Sequence, residues 1–189
     1  MKTGTTFEMI GLPKGHAYPK LAYHPRTALL IVHTRPVKSI LPGGRISLKR
    51  LNGSRYRSIA NFPSSVSASS ISVESFLLHP HLSLLYFITY VWSEYPNGPP
   101  GGDWDALYCL NLETQKNKTI VQKGGLAPPD GYRRVWINEL LSTSADGNTL
   151  FCRAGFSPKR KGRVHYCLSK LSIVDHKIEI IRKLKTPFA

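Results

Sequence analysis

Apolar and polar residues alternate along most of this chain in short runs, and the runs come in pairs separated by turn residues. The sharpest pair is Leu140-Leu141-Ser142-Thr143-Ser144-Ala145-Asp146-Gly147-Asn148-Thr149-Leu150-Phe151-Cys152-Arg153-Ala154-Gly155-Phe156-Ser157. One apolar run enters a Ser-Ala-Asp-Gly-Asn turn, and a second leaves it at once. Asp-Gly and Gly-Asn supply the positive φ values that a tight hairpin needs, so this stretch predicts strand, turn, strand. Two other stretches have the same shape: Leu21 to Thr34, interrupted at Pro25, and Phe76 to Thr89, interrupted at Pro80.

The three align. Pro80 lies 55 residues after Pro25 and Ala145 lies 65 after Pro80, and five positions beyond each stands a leucine: Leu30, Leu85 and Leu150. The second halves agree as well. Ile46 to Ile59 can be laid without a gap on Leu107 to Ile120, with Leu51 on Leu112 and Ile59 on Ile120. A third copy, Leu171 to Ile181, sets Ile173 on Leu112 and Ile181 on Ile120. Each unit predicts four antiparallel strands, and stacking on a neighbour is what gives such a unit a core. The expected fold is therefore all-β: one domain, 1–189, of three four-stranded units near 16–60, 73–121 and 135–184.

The strand-[Ser/His]-[Pro/Ala]-x-x-x-x-Leu-strand element, clearest at Ser144-Ala145-Asp146-Gly147-Asn148-Thr149-Leu150, resembles the TolB-like family of β-propeller repeats. Leu107 to Ile120 is similar to the partner strands of that repeat, with Leu112-Glu113-Thr114 at the outer turn, and the likeness covers most of residues 20–184. Asp-Gly stands only in the third unit, and the Trp104-Asp105 pair does not end a unit as the WD dipeptide of WD-repeat propellers does. The resemblance implies propeller blades. Three blades do not close a ring, which implies a partial propeller or half of an oligomeric one.

Composition narrows the class further. Fifteen Gly and 14 Pro among 189 residues favour turns over helices. Twenty-six Lys and Arg against 11 Asp and Glu give a formal charge of +15, which admits nucleic acid, an anionic surface or an acidic ligand as partner. Most of the basic residues are scattered; Lys159-Arg160-Lys161-Gly162-Arg163 is the dense run. Cys109, Cys152 and Cys167 follow no CxxC spacing and sit in apolar runs, so reduced core thiols are expected. No apolar stretch reaches the ~18 residues of a membrane span and the N-terminus lacks an apolar leader, which predicts a soluble, cytoplasmic protein.

Candidate binding residues fall on the connectors expected to share one rim. Trp92, Tyr95, Asp103, Trp104 and Asp105 crowd a Pro-Gly stretch, where paired carboxylates beside an indole suit a cation or a sugar hydroxyl. Lys159, Arg160, Lys161 and Arg163, with Phe156 and Tyr166 beside them, suit phosphates or a solvated hairpin tip, and Arg133 and Arg134 beside Trp136 read the same way. His24 and His79 occupy equivalent turn positions and are expected to cap backbone groups; no HExxH or other ligand spacing predicts a metal, and no cofactor motif is present. No GxSxG elbow or phosphate loop appears, so no catalytic residue is assigned. The expectation is a non-catalytic binding or assembly module for a protein, an extended ligand or a second copy. The alternatives are the propeller portion of an enzyme, a hydrolase or polysaccharide lyase, and an anion or nucleic-acid binder.

Overall fold

The computed structural model describes residues 16–36, 45–50, 56–58, 70–95 and 98–184, with the backbone alone in parts of some strands. Twelve strands are formed, and no helix occurs among the described residues. They are β1 (His16–His24), β2 (Leu29–Pro36), β3 (Arg45–Arg50), β4 (Tyr56–Ser58), β5 (Ser70–Leu78), β6 (Leu84–Tyr95), β7 (Gly98–Asn111), β8 (Asn117–Gln122), β9 (Tyr132–Thr143), β10 (Thr149–Pro158), β11 (His165–Ser172) and β12 (Ile178–Lys183). They make three antiparallel sheets of four strands, each a plain meander in chain order: β1 to β4, β5 to β8 and β9 to β12. The first strand of each sheet carries a register shift, between Ala17 and Lys20, between Val73 and Ser75, and opposite Phe151 and Cys152.

Packing follows from the period of two. In β6, Leu85 and Phe87 join a core shared with the first sheet, whereas Tyr86 and Ile88 join one shared with the third. The middle sheet is thus apolar on both faces. The first sheet contributes Leu29, Ile31, Ile46 and Leu48; the third contributes Leu150, Cys152, Ala154 and Phe156 from β10. Each large side chain so buried stabilises the fold by roughly 1.5–3 kcal/mol relative to exposure. The resulting structure is a stack of three sheets with two apolar seams.

The repeat is visible in the backbone. Leu112 N donates to the Ser83 carbonyl at 2.8 Å, and at the equivalent positions Ile173 N donates to the Asn148 carbonyl at 2.9 Å. Non-glycine residues with positive φ recur in the β7–β8 and β11–β12 turns, Gln115 at 56° and His176 at 57°. In the Ser144 to Thr149 turn, Gly147 has φ 73°. The Asp146 carboxylate accepts from Asn148 N at 3.0 Å and from Ser144 Oγ at 2.5 Å, so Asp146 closes the turn. That turn is docked on the middle sheet, since Tyr86 Oη donates to the Gly147 carbonyl at 3.0 Å.

One connector differs from its sequence reading. The Pro-Gly stretch that carries Trp92 to Asp105, expected as a connector on one rim, is mostly a continuation of the β6–β7 hairpin: Trp92 pairs with Gly102, Ser93 with Gly101 and Tyr95 with Gly98. A register shift between Ser93 and Tyr95 lies opposite the segment holding Pro99 and Pro100. Such an irregularity lets the ladder run past residues that cannot donate.

Candidate functional site

The extension of this ladder decides the fate of the aromatic and acidic candidates. Trp104 pairs with Tyr90 on β6, lies 2% exposed in the core between the middle and third sheets, and offers no stacking surface. Asp105 is also 2% exposed, and its carboxylate accepts from Thr89 Oγ1 at 3.0 Å. Asp103 is half-buried, bound at once by Lys123 and Arg134. Partial burial pushes its carboxyl pKa up, but the hydrogen bonds and charges of these two cations outweigh that and hold it below the ordinary value. Asp103 and Asp105 therefore do not form the expected cation or sugar site: one is neutralised and the other is enclosed. For Trp92 and Tyr95 the described part is the strand backbone, and their side chains lie outside the description.

The basic candidates come together. Arg133 and Arg134 begin β9, and Lys159, Arg160, Lys161 and Arg163 occupy the turn from β10 to β11. Strand register sets Ser157 beside Arg134 and Pro158 beside Tyr132. Arg133 Nε donates to Ser157 Oγ at 3.0 Å, and Lys159 N donates to the Gly131 carbonyl at 2.9 Å. All four turn cations are exposed. Sequence spacing hid this meeting, because it arises from antiparallel pairing across residues 132–158.

Beneath this corner is an aromatic layer. Tyr132 and Phe156 have ring centroids 5.1 Å apart, and Tyr132 Oη is 3.0 Å from His165 Nδ1. Trp136 lies over Gly155: a Cβ added there would fall 2.3 Å from the indole Cε2. The Arg134 guanidinium is 6.0 Å from the Trp136 ring centroid. Only a glycine at 155 leaves the indole this position, a pattern that single-sequence reading does not flag.

The histidines act in turns. His79 Nδ1 accepts from His81 N at 3.1 Å and Leu82 N at 2.9 Å, while its Nε2 lies 3.1 Å from the Ser144 carbonyl of the third sheet. His24 Nδ1 lies 2.7 Å from Thr27 Oγ1. Burial, then the nearby Arg26 charge, depresses the His24 pKa. No group of three potential metal-binding side chains occurs among the described residues. The thiols behave as core groups: burial raises Cys109 to about 11 and Cys152 to about 12, and raises Cys167. No helix of the described residues is long and apolar enough to cross a membrane.

Compared with known proteins, the chain matches no family model and no curated protein.

Proposed function

We propose that the chain is a non-catalytic, propeller-type binding and assembly module whose three-sheet stack is extended by a second copy of the chain. The observation that carries this reading is the outer face of the first sheet, where Leu21 and Tyr23 remain 43% and 44% exposed. They hold the strand positions that Phe76 and Leu78 hold in the middle sheet, and those two pack into the seam with the first sheet. A face built on that pattern is suited to receive another sheet. The succession of sequential four-stranded meanders and the TolB-like turn element support the same reading, and loops on such a rigid scaffold are where a protein or extended ligand is bound.

Light scattering at about 0.15 M salt, where charge repulsion is screened beyond about 8 Å, tests it. A mass of twice 21.1 kDa is expected, falling to 21.1 kDa in the Leu21→Lys/Tyr23→Lys variant. A strict monomer for the unaltered chain removes the assembly reading.

A further inference from the structure

The corner where β9 begins and β10 ends lies on the third sheet, away from the exposed face of the first. Lys159, Arg160, Lys161 and Arg163 take part in no ion pair among the described residues. Asp103, the carboxylate joined to Arg134, is shared with Lys123 instead of the turn. Four uncompensated cations in five residues repel one another, and an anionic partner relieves that repulsion.

The sheet beside the turn indicates what kind of anion. Ala154 and Phe156 face the middle sheet, so Gly155 between them faces outward, as do its cross-strand partners Trp136 and Tyr166. Trp136 and Tyr166 are half-buried; the indole lies close against the strand because Gly155 has no side chain, and part of it packs on the seam core. Gly155 is four residues before Lys159, or about 13 Å along an extended strand. A half-buried indole with a guanidinium over its ring, and phosphate-binding cations one or two nucleotides away, is the arrangement that single-stranded nucleic acids use. A bilayer fits less well, since Lys159 to Gly162 carries no apolar side chain at its tip to insert. A duplex fits less well too, because its bases are not free to stack on an indole.

We propose that this corner binds single-stranded nucleic acid, with Lys159, Arg160, Lys161 and Arg163 on phosphates and Trp136 as the stacking surface for a base. The test is fluorescence anisotropy with a labelled oligothymidylate of about 12 nucleotides, over a salt series. The unaltered protein is expected to bind it. Substituting all four turn cations by Ser is expected to weaken binding more than tenfold and to reduce the log–log salt slope by about 3, at about 0.7 per phosphate contact. Trp136→Leu is expected to weaken binding about tenfold at unchanged slope, corresponding to loss of one stacked base. Should that variant not fold, Trp136→Phe preserves the packing, and the quenching of tryptophan fluorescence by the bound strand is expected to disappear. Failure of the single strand to bind at about 50 mM salt overturns the proposal. So does equal binding by the four-Ser variant, quenching that persists in Trp136→Phe, or equally tight binding of a duplex or of phosphatidylserine vesicles.

Discussion

The two end sheets of the stack present different outer faces. On the third sheet, Arg153 lies 3.4 Å from Glu139 and Lys170 lies 2.9 Å from Glu179, which lays charged pairs across strands β9 to β12. On the first sheet, the outward positions of β1 hold Leu21 and Tyr23. The contrast is sharpest position by position. Leu84, Tyr86 and Ile88 of the middle sheet pack against the third sheet, and at the same places in the third sheet stand Thr149, Phe151 and Arg153. A repeat that keeps its turns and puts polar or charged residues at two of these three packing positions is one that ends a stack, as capping repeats do in solenoids. A repeat that keeps its apolar positions is one that continues it.

Exchanging residues between equivalent positions should break this contrast most strongly. Ile88→Ala opens a cavity in a fully buried seam and is expected to lower unfolding free energy by about 2–5 kcal/mol. Arg153→Ala, at the matching place on the outer face, is expected to change it by less than about 1 kcal/mol, because the ion pair is largely solvated. Urea denaturation measures both, and equal losses would mean that the outer face of the third sheet is a packed one. An effect smaller than that of Ile88→Ala is expected from Tyr90→Phe. Tyr90 Oη donates to the Ile137 carbonyl at 2.9 Å and lies 3.4 Å from Asn138 Nδ2, so its removal strips partners from the seam and costs about 1–3 kcal/mol.

The smallest effect is a pH dependence confined to one end. His24 is buried and its pKa is depressed, so the unfolded chain binds a proton that the native state resists. Its contribution is fully present above the unfolded value of about 6.5 and is lost as pH falls from there toward the lowered native value. Melting temperature is expected to decline across that interval, and His24→Asn is expected to flatten the decline. The third sheet has Ser144 at the same position and adds nothing there. The depressed carboxyls of Asp103, Asp146 and Asp175 act in a separate window, their stabilisation being lost only as pH falls through the ordinary carboxylate value of 3.8 and below.

Sequence pattern carried the all-β class, the antiparallel hairpins and the turn at Asp146-Gly147, because each is set by residues that are neighbours in the chain. The spacing of Leu30, Leu85 and Leu150 held because the strand period locks side chains to faces; Leu85 faces the first sheet and Leu150 the middle one. The Trp92 to Asp105 stretch misled for a physical reason. Its prolines and glycines signal a loop, yet the ladder continues past them through a register shift, and Trp104 turns into the core. The basic corner was half legible. Both of its segments stood out by composition, but their contact depends on strand pairing, and the indole on Gly155 depends on the absence of one carbon atom.

The thiols have a practical consequence. With burial raising the pKa of all three cysteines, none carries much thiolate near neutral pH, and maleimide or iodoacetamide should pass them by. A cysteine introduced at Val174, 76% exposed in the β11–β12 turn, would then react far faster than any native one. The wild-type background is in this sense already prepared for site-specific labelling.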